Sequence, residues 1–475
     1  MGQRHGHLDP QGARLTVRAL LGLAAFNLVL LVVGAAALAA LRGWRSRYEL
    51  LRSAGLAYML GVALVGVALS IELEVGVPFS FASVVLTSAL LVLAAALLRR
   101  PLARWRPHLP SERTRGIGVV AASFALIVVV YLEALFRAGR LAGLSAWDAW
   151  AFWVPKAKAI YFFGGLDEQF FRELANPSYP PLVPALEAAA FLFMGSPDVT
   201  TLHLQFWFLA CGFVAAVASL LAPRVPAFVL WPCLLLVLVA PRVVGRNLDP
   251  QADFILDYFF ALAALLVALW LVEREPWLLS TAALLMAAAL MTKREGQLLV
   301  ACILLAGAVA SWRSWRFAWP RLGLAAAVAI AALVPWRIWF SSRDLTGDLP
   351  AGGALALFDN LDRGWPAFQS AVTTLFDYDL WLVIVPLVGV GVVLAYLAGA
   401  RTLPTYALTL YLLVIAGLTW VLWSFTELEL PFVQDEGVNP IVRLSASLVI
   451  AAGALLPLLL DAAWRGADDV AVEKS

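Results

Sequence analysis

The stretch Arg99–Arg115, RRPLARWRPHLPSERTR, is basic and broken by prolines, and it separates two runs, 79–98 and 117–136, that carry almost no charge. Proline removes a backbone donor and interrupts a helix, so the stretch reads as a link between two elements. Arginine and lysine in short loops between apolar runs stay on the cytoplasmic side of a membrane. The link is therefore predicted to be a cytoplasmic loop between two spanning helices, and it orients everything around it.

A spanning helix needs about 20 apolar residues. Outward from the link, the runs that meet or approach this length are 19–41, 53–71, 79–98, 117–136, 201–221, 227–243, 254–272, 277–292, 297–311, 322–340, 380–398, 406–424 and 444–462, with 182–195 as a doubtful addition. They predict an all-α polytopic membrane protein, a bundle of about 13 transmembrane helices. Composition agrees: of 475 residues, 62% are hydrophobic and 14% charged, against about 25% charged in soluble domains. The amino-terminal apolar run is longer than the core of a secretory signal, about 7–15 residues, so it is expected to be a retained helix.

Net charge is +2, and no basic run interleaved with aromatics suggests a nucleic-acid partner. Cys211, Cys233 and Cys302 lie in apolar runs without metal-ligand spacing. P-loop, HExxH and Gly-x-Ser-x-Gly patterns are absent from the sequence.

A second basic, tryptophan-rich stretch, WRSWRFAWPR at 312–321, reads as another cytoplasmic anchor. Alternation then places 138–180, 246–253, 293–296, 341–379 and 425–443 outside. The loop 341–379 is acidic, with Asp344, Asp348, Asp359, Asp362, Asp377 and Asp379 against Arg343 and Arg363. The two anchors agree only if 182–195 does not cross or a later run is not a full span; the sequence leaves this open. Three sections follow: 1–116 with the first helices and the basic loop, 117–345 as a membrane core carrying the outside loop 138–180, and 346–475 with an outside loop and the last helices.

Four constellations could carry chemistry. In SAWDAWAFWVPKAKAIY, from Ser145, a helix over 146–154 would put Trp147, Trp150 and Trp153 on one broad face with Asp148 on its flank. Tryptophans and the lysines Lys156 and Lys158 suit a membrane interface. A carboxylate among tryptophans loses solvation there, which points to a functional acid. NPSYPPLVP is a rigid lead that would hold Tyr179 facing Asp148. In PRVVGRNLDPQADFILDYFF, Arg242 and Arg246 flank Asp249 and Asp253. Asp253 could simply cap a helix, whereas Asp257 sits one turn into a span, where an ionisable group is a functional candidate. LMTKREG sets Lys293, Arg294 and Glu295 between apolar runs on the side that should be poor in positive charge; such cations can hold a phosphate, or they are ordinary cytoplasmic anchors. TELELPFVQDEGVNPIVR gathers Gln434, Asp435, Glu436, Asn439 and Arg443, suited to hydrogen-bonding a sugar or to solvation alone.

The order of these pieces resembles the membrane-embedded C-type (GT-C) glycosyltransferases, especially the protein-mannosyltransferase and aminoarabinose-transferase group. The matching pieces are SAWDAWAFWVPKAKAIYFFGG, YPPLVPALEAAAFLFMG, ADFILDYFFALAAL and LMTKREG, so the likeness covers roughly 140–300. It implies a GT-C-like bundle with amphipathic helices in the first large outside loop. It also implies inverting transfer of a sugar from a polyprenyl-phosphate donor to a glycan, lipid or protein acceptor hydroxyl. Asp148 would be the general base, and Lys293, Arg294, Arg246 and Arg443 would meet the leaving phosphate. Trp147 and Trp150 would touch sugar or prenyl chain, with Lys156, Tyr179, Asp253, Glu295 and Gln434 completing the substrate site. Where the family has an Asp-Glu pair, this chain has Asp148 followed by Ala149. Some relatives use a divalent metal; no compact carboxylate set here implies one. The expected location is the inner membrane of a bacterium. A transporter or lipid flippase, or a non-catalytic envelope assembly protein, are the competing readings. Transporter folds often show internal repeats with broken helices in matching halves, and this sequence shows neither clearly.

Overall fold

The structure, a computed structural model, describes residues 17–44, 46–102, 118–248, 251–343, 345, 361–425 and 440–465. Among these residues all regular structure is helical, with no strand. In order the helices are α1 (Val17–Leu41), α2 (Arg47–Arg52), α3 (Ala54–Glu74), α4 (Phe81–Leu102), α5 (Val119–Gly139), α6 (Val154–Phe163), α7 (Glu168–Glu173), α8 (Leu182–Met194), α9 (Val199–Leu221) and α10 (Ala227–Leu238). There follow α11 (Pro241–Leu248), α12 (Ala252–Glu273), α13 (Pro276–Thr292), α14 (Glu295–Ala310), α15 (Trp315–Ser341), α16 (Gly364–Leu375), α17 (Tyr378–Trp381), α18 (Ile384–Leu397), α19 (Thr402–Phe425) and α20 (Pro440–Arg465).

Nine helices among the described residues are long and apolar enough to cross a bilayer, or up to 10 if the bent pair α10–α11 counts as one span. The chain is a multi-pass integral membrane protein. Of the thirteen expected runs, nine thus form unbroken helices of full spanning length, and the other four are bent or shorter. Run 227–243 is bent by 65° between α10 and α11. Runs 277–292, 297–311 and 380–398 form helices of 17, 16 and 14 residues.

The bundle has two polar ends. At one, Arg42 pairs with Glu49 at 2.6 Å and lies over the Trp277 ring at 5.0 Å. Arg224 Nη2 reaches Glu273 at 2.7 Å, and Arg465 Nη2 donates to the Arg224 carbonyl at 2.8 Å. The 312–321 stretch is at this end, with Arg274 donating to Ser314 at 3.1 Å. The other end gathers the loop after α5, the starts of α12, α14 and α20, and the ends of α13 and α15. Although α13 and α14 are short, each runs from one polar end to the other.

Helix α8 does not cross. Thirteen residues reach about 20 Å, short of the ~30 Å hydrocarbon core. Its first residue, Leu182, lies against Gly66 in α3, and its last turn comes back to the start of α1, with the Phe193 carbonyl at Gly22 and the Arg18 side chain at Gly195. Phe193 also meets Phe81, at the start of α4, with ring centroids 4.9 Å apart. Both ends of α8 therefore lie in the same half of the bundle, and the two basic anchors become consistent.

At the centre, α12 is buried on every side and is packed by α13, α14, α19 and α20. A helix that is apolar all round belongs in such a position. Lipid gives helices little hydrophobic reason to associate, so close approach through small residues matters. A Cβ at Gly34 of α1 would come within 1.7 Å of the Ala57 carbonyl oxygen, and one at Gly61 of α3 within 1.8 Å of the Leu30 carbonyl oxygen. Nearby, Asn27, Tyr58 and Gln205 close a hydrogen-bonded triad linking α1, α3 and α9, which satisfies three polar groups inside the bilayer span.

Candidate functional site

Four segments distant in sequence meet in a buried charge cluster. Asp253, in the first turn of α12, is its hub. It does not cap the helix; its carboxylate faces three cations. Oδ1 accepts from Lys293 Nζ at 2.7 Å, and Oδ2 accepts from Arg443 Nη2 at 2.6 Å and Nε at 3.1 Å. Arg246 Nη1 is 3.2 Å from the same oxygen. Arg443, in the first turn of α20, also donates to Asp148 Oδ2. It thereby bridges the loop after α5 to α12. Arg246 donates to the Arg443 carbonyl and lies 3.8 Å from Asp257, an ion pair without a hydrogen bond. Asp257 in turn accepts from Ser447 of α20. Lys293 has Glu295 as a second partner at 3.2 Å.

Among the described residues, the cations Arg246, Lys293 and Arg443 thus face the acids Asp148, Asp253, Asp257 and Glu295. Every cation is already paired. Burial alone would lower the Lys293 ammonium, but the Asp253 and Glu295 carboxylates outweigh it and hold it above the ordinary lysine value. The most open members are Glu295, Arg443 and Asp148, with side chains 21%, 19% and 10% exposed, against 6% or less for Arg246, Lys293, Asp253 and Asp257.

Local structure explains how Asp148 gets there. The helix expected over 146–154 is instead a π turn, Ala149–Trp153, followed by α6, with Pro155 in its first turn, where the missing N–H costs nothing. The wider turn separates the tryptophans. Trp147 and Trp150 are exposed and meet edge to face at 6.2 Å, whereas Trp153 is buried. The expectation of three tryptophans on one face is therefore corrected, and Asp148 points inward between them.

Tyr179 stacks on Trp153 (5.5 Å, 9°) and has Lys293 Nζ over its ring at 5.2 Å. Burial pushes its phenol above the ordinary range. Lys156 does not reach toward the bilayer surface. It is fully buried, donates to the Asn176 carbonyl at 2.6 Å, and lies over the Phe152, Trp153 and Phe171 rings. Its position is that of a clamp on the loop that carries Tyr179, which Trp336 also holds through the Ser178 carbonyl at 3.2 Å. Arg294 is the residue before α14, half-buried and adjoining Lys293. Gln434, with Asp249, Asp435, Glu436 and Asn439, is outside the described residues.

No group of three or more metal-binding side chains is found among the described residues. Ser447 was not singled out from sequence. Comparison of the chain with protein-family models, with curated proteins and with solved structures returns no match. The multi-pass helical architecture and this cluster stand on the structure itself.

Proposed function

We propose that the protein is an inverting glycosyltransferase of a bacterial plasma membrane, moving a sugar from a polyprenyl-phosphate donor to an acceptor hydroxyl on the face of the bundle that holds the cluster. The observation that carries this reading is the bridge from Asp148 through Arg443 to Asp253. It joins the acid of the tryptophan-rich loop to the cations at 246, 293 and 443.

In the resting arrangement the cations are neutralised by acids. Lys293 and Arg246 remain on buried Asp253, where leaving would strand a charge. Arg443 is the cation placed to change partner. A donor phosphate attracts its guanidinium in bidentate fashion, and Asp148 is then released from its ion pair. The freed carboxylate takes the proton of the acceptor hydroxyl as that oxygen attacks the anomeric carbon. The bond from that carbon to the phosphate oxygen breaks, and the electron pair leaves with the polyprenyl phosphate, whose charge Arg443 meets. A positioned general base contributes about 10²–10⁴-fold. Exposed Trp147 and Trp150 offer ring faces beside the acid for the sugar or acceptor.

The test is transfer by the purified chain from polyprenyl-phosphate sugars. Asp148→Asn should lower transfer by about 10²–10⁴-fold at unchanged abundance; full activity in that variant removes the base assignment. A second reading, a proton-coupled transporter, is favoured by Asp257, an acid one turn inside a span with Ser447 and Arg246 as partners. Substrate uptake into proteoliposomes that depends on Asp257 and not on Asp148 would select it.

A further inference from the structure

The polar end opposite the cluster carries Arg274, Arg313, Arg316 and Arg321, where α12 ends and α15 begins. Arg274 caps α12 in the left-handed region, φ 60°, with its N–H on the Trp270 carbonyl at 2.8 Å. Glycine is the usual residue in such a cap. The arginine instead lays its guanidinium over two rings, Trp270 at 5.6 Å and Phe317 at 5.4 Å. These rings stack, 6.4 Å apart and 15° from parallel. Arg321 lies over the same Phe317 ring at 3.7 Å. One ring at the start of α15 thus holds two guanidiniums.

Among the described residues no carboxylate pairs with either arginine. Arg321 Nη1 donates to the Phe317 carbonyl at 2.7 Å, and Arg274 Nη2 to the Ser314 hydroxyl at 3.1 Å. Nη1 of Arg274 is buried with no acceptor. Glu273 flanks Arg274 in the chain but is held by Arg224 at 2.7 Å. Two positive charges on one ring repel each other until an anion joins them.

The surroundings fix the depth of this pair. Trp312 and Trp315 are exposed and meet Trp319, at 5.3 and 6.1 Å between ring centroids. Arg316 lies over Trp315 at 5.4 Å. Tryptophans gathered at the end of a spanning helix mark the headgroup layer, so Arg274 and Arg321 sit at the level of lipid phosphates. The excess of arginine assigns this end to the cytoplasmic leaflet, whose anionic lipids attract such clusters. Arginine matches phosphate geometry with two parallel donors.

We infer that Arg274 and Arg321, held on Phe317, bind the phosphate of an anionic phospholipid between the end of α12 and the start of α15. The phosphate supplies the counterion that the two arginines lack. The site is at the opposite polar end from Asp148 and does not depend on how that cluster is read.

The test uses the delipidated full chain in neutral detergent, followed by thermal unfolding and native mass spectrometry. Phosphatidylglycerol should raise the unfolding midpoint and remain bound, whereas phosphatidylcholine and inorganic phosphate at equal concentration should not. Arg274→Gln and Arg321→Gln should each weaken phosphatidylglycerol binding about fivefold or more, the effect of one arginine facing an anionic headgroup. Arg321 is exposed, so its replacement keeps the fold, which the midpoint of the lipid-free variant checks. Phe317→Leu, which keeps both charges and removes the ring that holds them, should weaken binding as well. Arg172→Gln, which removes an exposed charge at the other polar end, should leave it unchanged. Equal binding of phosphatidylcholine, or wild-type affinity in Arg321→Gln and Phe317→Leu, overturns the site. An equal loss in Arg172→Gln overturns its location, and an equal response to inorganic phosphate overturns the lipid as its ligand.

Discussion

Replacing Asp253 by Asn should destabilise the protein more than replacing Asp148 by Asn, although Asp148 is the proposed catalytic acid. Asparagine keeps the size of the side chain and removes its charge. Asp253 is buried and touches all three cluster cations, at 2.6 to 3.2 Å. Removing one partner of a buried ion pair costs about 3–5 kcal/mol. The cations would not be wholly stranded, because Arg443 keeps Asp148, Lys293 keeps Glu295 and Arg246 keeps Asp257. The loss should therefore fall at the lower end, about 3 kcal/mol. Asp148→Asn removes one contact from Arg443, which retains both of its bonds to Asp253. Asp148 and Arg443 are also the more open pair, so the loss should be about 1–2 kcal/mol, that of one charged hydrogen bond. Equilibrium unfolding in mixed micelles, driven by a denaturing detergent and followed by tryptophan fluorescence, measures both. A loss below about 0.5 kcal/mol for Asp253→Asn, the size of an ordinary surface change, would refute the hub. So would a larger loss for Asp148→Asn.

Three other outcomes follow from the same geometry. Asp148→Asn should lower transfer by about 10²–10⁴-fold while leaving insertion and abundance unchanged, measured with labelled polyprenyl-phosphate sugar. Because the Lys293 ammonium titrates above its ordinary value, its ion pairs contribute fully below the unfolded value, about 10.4, and the contribution fades as pH rises through the raised folded value. Stability should be insensitive to Lys293 from neutral to mildly alkaline pH and fall in strongly alkaline solution, and a Lys293→Met variant should show a shallower alkaline fall in a pH series of unfolding midpoints. Gly34→Leu should separate α1 from α3, since even a Cβ there would meet the Ala57 carbonyl oxygen at 1.7 Å; size-exclusion profiles should show loss of folded protein, and a normal profile would contradict that close approach.

Spanning helices are legible because the bilayer imposes a length, and nine of the expected runs meet it. The shorter ones are not, because an apolar helix buried in protein has the composition of one that crosses. Helix α8 is the instance: LVPALEAAAFLFM reads as a short span, but its last turn returns to Arg18 and Gly22. Polar residues standing in apolar context marked Asp148, Asp253, Lys293 and Arg443. Their pairing was not legible, since Asp148 and Arg443 lie 295 residues apart and no local pattern joins them. Sequence reading also treated the cations as open to phosphate, whereas each faces a carboxylate. The inward turn of Trp153 and the burial of Lys156 depend on the π turn at Ala149–Trp153, which helical spacing does not reveal.

The central claim is that Arg443 passes from Asp148 to a donor phosphate. It is tested most directly by determining the structure in lipid nanodiscs supplied with a long-chain polyprenyl phosphate. The account predicts phosphate density on Arg443, with Asp148 released and Lys293 still on Asp253. Phosphate density at the opposite polar end, beside Arg42 and Arg224, with the Arg443–Asp148 pair intact, would contradict it.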